Sequence, residues 1–358
     1  MERFGFVGLP NAGKSSLYNA LAGGGALAAP YAFATRDPNI GVAKVLDRRL
    51  EALATMSASR NVVPASVQFV DIGGLVEGAS KGEGLGNRFL ASIREVDAVV
   101  YVLRAFTDDE VPGPADPLEH LRVVELELTL ADLESVENQI AKRRKAAKFD
   151  RSLADEVAAL DAAEAVLSDG APLYRSPLDA AQRALLRPYF LLTNRPVLAV
   201  VNVGEDQLDD MGSIVAPVEA ELAGKAEVLG MCVQLEAEAA QLDLDERAEM
   251  LEALGLGEGA LPRFVHGAYH LLGLRTFFTT GEKESRAWTF RAGWKAPRCA
   301  GVIHTDFEKG FIRAEVIHWD ELVEIGSWPK AREVGKLRVE GKDYEVADGD
   351  TLEIRFNV

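Results

Sequence analysis

The sequence predicts a doubly wound α/β fold that is interrupted by a helical hairpin and followed by a smaller strand-rich domain. Three observations carry that expectation. Valine-rich apolar runs alternate with helical stretches from the N-terminus to about residue 275, the pattern of a parallel sheet covered on both faces. Between roughly residues 118 and 195 the alternation gives way to two long stretches with apolar residues at every third or fourth position. Beyond about residue 276 the chain turns to short strand-like runs separated by the turns KGF, VEGKD and ADGD.

Taken in order, RFGFVGL (3–9) reads as a short buried strand, and the glycine-containing turn after it leads into SSLYNALA, a helix stopped by Gly23, Gly24 and Gly25. Further strands are expected at ASVQFVDI (65–72), DAVVYVLRAF (97–106), PVLAVVNV (196–203) and EVLGMCVQL (227–235). The run from Leu118 to Lys148 holds no proline; the pattern breaks at Phe149–Arg151 and resumes in SLADEVAALDAAEAVL. Two long helices meeting at a tight tip predict an antiparallel hairpin inserted into the α/β domain. RAWTF, GFIRAEVIHW, KLRVEGKDYEV and DTLEIRF are the strands expected of the last domain, with Trp288, Trp294, Trp319 and Trp328 in its core and His304 structural.

With 358 residues, 48% apolar and 27% charged, the chain has room for two or three globular domains. No apolar run approaches the ~18–20 residues that span a bilayer, and the first residues show no signal-peptide pattern. Two cysteines far apart, Cys232 and Cys299, exclude a disulfide framework and fit a cytoplasmic protein; Cys232 reads as a small buried side chain. A net charge of −17 argues against nucleic-acid binding over the whole surface. One basic stretch, Lys142, Arg143, Arg144, Lys145, Lys148 and Arg151, stands apart. It is either a solvated helix tip paired with Glu134, Glu137 and Asp150 or an RNA-contacting knob.

The chemistry is concentrated near the N-terminus. Gly8-Leu9-Pro10-Asn11-Ala12-Gly13-Lys14-Ser15 follows a strand and opens a helix, the context that a phosphate-binding P-loop requires. Its glycines allow successive backbone N–H groups to face the phosphates at a helix N-terminus. Residues Asn11, Ala12, Gly13, Lys14, Ser15 and Ser16 are therefore the expected nucleotide cradle, with Lys14 reaching the β- and γ-phosphates and the Ser15 hydroxyl on Mg²⁺. Asp71, at the end of QFVDIGGL, is placed to orient the magnesium shell, Gly74 to offer its N–H to a γ-phosphate, and Thr35 to supply a second hydroxyl to the metal. A loop threonine with an Asp-x-x-Gly is the makings of a switch ordered by γ-phosphate and Mg²⁺. Lys14, Thr35 and Gly74 are the expected catalytic set, and Ser15, Thr35 and Asp71 the metal set.

VVNVGED, after the fourth strand, stands where a guanine-reading switch carries Asn-Lys-x-Asp. Glu205 replaces the aspartate and Val203 the lysine that covers the base. Guanine offers N1–H and an amino group to that aspartate, whereas adenine presents an acceptor at N1 and nothing at C2, so this loop favours adenine. Asn202 remains, able to bond the N7 and N6 edge of adenine. Leu75, where a switch GTPase places the water-orienting glutamine, cannot hold water and predicts slow turnover. Asn11 either helps coordinate a K⁺ ion beside the phosphates or braces the loop through its amide.

GLPNAGKSSLYNAL, FATRDPNIGV, the run from Val70 to Phe106, IHTDFEKGFIRAEV and EGKDYEVADGD together resemble the Obg-like ATPases of the YchF family over nearly the whole chain. The resemblance implies a P-loop nucleotide domain over 1–120 and 195–275, an inserted helical domain over 121–194 and a TGS domain of β-grasp type over 276–358. It implies ATP hydrolysis with GTP used weakly, ribosome association with rRNA contact on the large subunit, a role in translation and stress, and a cytoplasmic monomer. Members carry a histidine in the loop after the DAVVYVLRAF strand; here VPGPADP stands there and His120 follows. An Obg-type GTPase, or a nucleotide-gated adaptor with incidental turnover, are the competing readings.

Overall fold

The structure is a computed structural model that describes residues 2–22, 40–72, 90–108 and 113–357. Two six-stranded sheets organise it. The first runs β2 (Ile40–Val45), β4 (Ala65–Asp71), β1 (Arg3–Val7), β5 (Ala98–Arg104), β6 (Val197–Asn202), β7 (Glu227–Met231). The pairs β1/β4, β1/β5, β5/β6 and β6/β7 are parallel. Every residue of β5 and β6 is buried, as valine-rich central strands with both faces covered require. The order reverses direction at β1, which places a binding crevice at the carboxyl ends of the strands beside it. The ring of Phe6 stacks on Phe69 at 5.5 Å and on Phe264 at 6.2 Å.

Helices α1 (Lys14–Ala22), α2 (Arg48–Met56), α3 (Pro117–Ala147), α4 (Ala154–Ser168), α5 (Ala180–Leu186), α6 (Met211–Leu222), α7 (Val233–Ala239), α8 (Leu244–Ala253) and α9 (Leu261–Leu271) follow in chain order. The α3 helix starts where sequence signals put a start. Asp116 accepts from the N–H groups of Leu118 and Glu119, and Pro117 takes the first turn. Its first half carries Leu121, Val124, Leu128 and Ala131 into the core of the sheet, while Val136 and Ile140 pack on Ala159, Leu160, Ala163 and Leu167 of α4. One 31-residue helix thus serves the nucleotide domain and the hairpin, and residue 121 lies inside it. At the change of partner sits Asp132, 0% exposed, whose carboxylate accepts from Leu192 N, Thr193 N and Thr193 Oγ1 at 2.7–2.8 Å and pins the returning chain before β6.

The chain packs as two compact units, residues 1–42 with 68–267 and residues 43–67 with 268–358. Residues 43–67, which the sequence-based division leaves with the nucleotide domain, therefore pack with the C-terminal segment. The second sheet, β11 (Arg338–Glu340), β10 (Phe311–His318), β12 (Asp350–Phe356), β8 (Leu274–Thr279), β9 (Ser285–Arg291), β3 (Val62–Val63), shows how. β3 adds to β9 in parallel, Arg49 bridges to Asp348 at 2.8 Å, and the hydroxyls of Ser57 and Ser59 bond Thr280 and Ser285. The segment is also more helical than its alternating runs suggest, with α10 (Ala296–Ile303), α11 (Thr305–Lys309), α12 (Trp319–Ile325) and α13 (Trp328–Glu333). Ala296, Cys299, Ala300 and Ile303 carry a helical spacing into its core, and only Arg338–Glu340 of KLRVEGKDYEV is strand. Trp288 and Trp294 pack against that core, and His304 caps α11 through Nδ1.

Candidate functional site

The P-loop closes β1 and opens α1, with Lys14 as the first helical residue. Its two glycines are there for space. A Cβ on Gly8 would stand 2.4 Å from the Val102 carbonyl oxygen. One on Gly13, at φ +100°, would stand 2.3 Å from Asn202 Nδ2. Asn11 takes the left-handed conformation at φ 61°, which asparagine tolerates better than most residues. Its side chain makes no hydrogen bond among the described residues.

Lys14 is 5% exposed, and its Nζ donates to the Leu9 carbonyl at 2.7 Å, folded back over the loop. Burial pushes its ammonium down to about 8, against the charge of Asp71, which favours the proton. The Ser15 hydroxyl donates to Asp71 Oδ2 at 2.7 Å. These two oxygens, brought together from β4 and the start of α1, are the hard donors that suit Mg²⁺, which typically keeps several waters and takes one or two protein oxygens beside the phosphates. Thr35, Gly74 and Leu75 lie outside the described residues.

The opposite wall is built around Asn202. Its Nδ2 donates to the Ala12 carbonyl at 3.0 Å and its Oδ1 accepts from Val233 N at 3.1 Å. One buried amide, 5% exposed, therefore ties the P-loop, the end of β6 and the start of α7 together. This corrects the expectation of a strand through residue 235: β7 ends at Met231, and Val233 opens a helix whose first free N–H is taken by a side chain 31 residues away. It also gives Asn202 an occupation other than base reading. Val203 lines the cavity from the sheet side. Its side chain is 1% exposed and belongs to the sheet's core. Glu205 is exposed and starts a 3₁₀ turn.

Between these walls lies a cavity of about 750 Å³. Asn11, Gly13, Lys14, Ser15 and Ser16 line one end, with Asn202 and Glu205, Cys232 and the α7 residues Gln234 and Glu238 around the other. Phe106 also lines it, its ring under the Arg104 guanidinium at 4.7 Å. The sequence signal for Phe106 is weak, since an aromatic just past a strand is usually read as part of the strand. His120 is 2% exposed; its Nε2 pairs with the Pro114 carbonyl at 2.9 Å, and it does not line this cavity.

The parallel sheet, the glycine turn into α1 and the Ser15–Asp71 pair define a P-loop nucleoside-triphosphatase domain. A family model described as 50S ribosome-binding GTPase matches residues 3–153. A YchF-type C-terminal model, described as a protein of unknown function, matches residues 274–357. A protein of Bacillus subtilis (strain 168) named Ribosome-binding ATPase YchF is 45% identical over 99% of each chain, and one of the same name from Escherichia coli O157:H7 is 43% identical over 99% of each. The solved structure of the Schizosaccharomyces pombe YchF GTPase superposes with a TM-score of 0.87 at 32% identity, covering 99% of this chain and 97% of that one. The chain belongs to the YchF family.

The Lys14 geometry has a measurable consequence. Burial lets the ammonium give up its proton above about pH 8, whereas phosphates set beside it, as the P-loop pattern predicts, would hold the proton on. Binding at pH 8.5 is then coupled to proton uptake, and affinity falls as pH rises through and beyond 8. Calorimetry of Mg-nucleotide binding in two buffers of different ionisation enthalpy is expected to show uptake at pH 8.5, little at pH 6.5, and none at either pH in Lys14→Met.

Proposed function

We infer that the protein is a Mg²⁺-dependent ATPase of the P-loop switch type, working in the cytoplasm in association with the ribosome. The observation that supports it most is the cavity that joins the P-loop to a base-side wall lacking the guanine-reading aspartate and lysine. The names carried by the relatives support the ribosome as partner, and rRNA of the large subunit is the contact we propose.

In this reading Lys14 and the N–H groups of Asn11–Ser16 bind the phosphates, Thr35 and Gly74 contact the γ-phosphate end, and Asn202, Val203 and Glu205 form the base wall, Asn202 chiefly as its brace. Ser15 and Thr35 would hold Mg²⁺ with Asp71 orienting its waters; the ion supplies charge neutralisation on the β- and γ-phosphates. Residues 1–120 and 195–275 carry the nucleotide chemistry, and 121–194 and 276–358 the partner contacts, in a monomer. A GTPase is the second reading, favoured by the name of the S. pombe relative, and base preference decides it.

Turnover tests the enzymatic part. With Leu75 in the water-orienting slot, the isolated protein is expected to hydrolyse ATP well below the ~1–10³ s⁻¹ of typical enzymes. A K⁺ ion held by Asn11 would neutralise charge developing between the β- and γ-phosphates, so the rate in KCl should exceed that in NaCl. Asn11→Gly keeps the left-handed backbone and removes only the amide. A K⁺ effect that survives it, or equal rates in the two salts for the unaltered protein, removes the ion from the mechanism.

A further inference from the structure

The hairpin tip spends only part of its positive charge on holding itself together. Arg143 reaches Glu156 at 3.3 Å and the Tyr189 hydroxyl at 2.8 Å; Arg144 reaches Asp161 at 2.7 Å and Glu164 at 3.3 Å. These pairs lace α3 to α4, and they replace the pairing with Glu134, Glu137 and Asp150 that the sequence suggests. Lys142, Lys145, Lys148 and Arg151 are exposed and, among the described residues, have no ion-pair partner. Lys142, Lys145 and Lys148 recur every third residue, about 4.5 Å apart along the helix axis, so they form a stripe running to the tip. A protein of net charge −17 keeps this concentration of unmatched cations in one place.

At the end of the stripe stands Phe149, 95% exposed. It is held in an ordered turn. Its own N–H bonds the Ala146 carbonyl, as does that of Asp150, and the Asp150 carboxylate is taken up by the N–H and hydroxyl of Ser152. The acid beside the ring is thus turned into its own turn, while the ring projects. A flat apolar face that the protein leaves 95% exposed, at the end of a stripe of unmatched ammonium groups and two residues before the Arg151 guanidinium, matches the two features of an unpaired nucleotide: a base face to stack on and phosphates on either side. Duplex RNA offers the phosphates and withholds the base. An acidic peptide offers charge and has no use for a flat ring.

We propose that the hairpin tip binds single-stranded RNA, with Phe149 stacking on an unpaired base and Lys142, Lys145, Lys148 and Arg151 holding the flanking phosphates. The proposal deepens the reading of a ribosome-associated protein by assigning the class of RNA element and the residues that hold it.

The test is fluorescence anisotropy with the full-length protein and two RNA probes, a stem with an unpaired loop and a fully paired duplex of the same length. The loop probe is expected to bind the more tightly. Phe149→Ala is expected to lose about tenfold for the loop and nothing for the duplex; because Phe149 touches little of the protein, the fold is unaffected. Lys145→Gln with Lys148→Gln should weaken both probes and reduce the salt dependence by about one unit per charge removed. Phe149→Trp should show indole quenching on adding the loop. Unchanged loop binding in Phe149→Ala, or equal affinity for loop and duplex, overturns the proposal, as does binding to anionic phospholipid vesicles that competes with the loop. Cosedimentation of the same variants with ribosomes keeps the two readings apart. Loop binding by a protein that never sediments with ribosomes would fail the ribosome reading and leave this one standing.

Discussion

Lys14→Ala is expected to weaken Mg-ATP binding at pH 7 by a hundredfold or more, about 3 kcal/mol, while leaving the empty protein at least as stable as before. The two effects have opposite signs because of where the ammonium sits. In the folded protein it is buried against one carbonyl, Leu9 O at 2.7 Å, and its lowered pKa records the cost of holding it charged there. Alanine removes that cost. In the proposed reading a bound nucleotide sets its β- and γ-phosphates against the same ammonium, and removing it would leave their charge unmatched in a partly desolvated loop. Equilibrium binding and thermal melting of the same variant check both halves. Unchanged affinity contradicts the P-loop assignment, and a large drop in melting temperature contradicts the account of the buried charge.

Asn202→Ala is expected to damage fold and binding together. It leaves the Ala12 carbonyl and the Val233 N–H without their partner in a buried place, at about 1–3 kcal/mol each, which for a unit of this size lowers the melting temperature by several degrees. Asn202→Asp should do no better, since it keeps the acceptor for Val233 and sets a carboxylate against the Ala12 carbonyl. The variants also separate the two jobs that asparagine can have here. If Asn202 acts as a brace, ATP and GTP binding fall in parallel because the P-loop itself shifts. If it reads adenine, ATP binding falls and GTP binding is spared. Parallel loss is the expected result.

The contrast between Lys14 and Asn202 explains what was legible in the sequence. The P-loop works through residues adjacent in the chain, so Gly8 to Ser15 can be read in order, and the buried valines of β5 and β6 announce their strands for the same local reason. Asp71 is legible because its spacing to a glycine pair is fixed. The links that assemble the site are tertiary: Asn202 to Val233 across 31 residues, Asp132 to Thr193 across 61. Nothing near Val233 signals a helix start, because its cap comes from another strand. Residues 43–67 misled for a similar reason. They run from the end of β2 to the start of β4, two strands of the nucleotide sheet, and yet complete the C-terminal sheet through β3, a pairing that no local pattern records. Phe149 was visible only as a break in helical periodicity; its exposure is a property of the folded tip.

The central claim is that this P-loop site serves adenine. Val203 lies in the core, so restoring a lysine there would bury an ammonium, and Glu205→Asp alone is the clean probe of the guanine-reading position. The decisive measurement is on the unaltered full-length protein: competition between Mg-ATP and Mg-GTP for one labelled nucleotide, at a single pH and magnesium concentration. The account predicts that ATP binds at least tenfold more tightly, with the gap narrowing in Glu205→Asp. Equal affinity, or a preference for GTP, would contradict it.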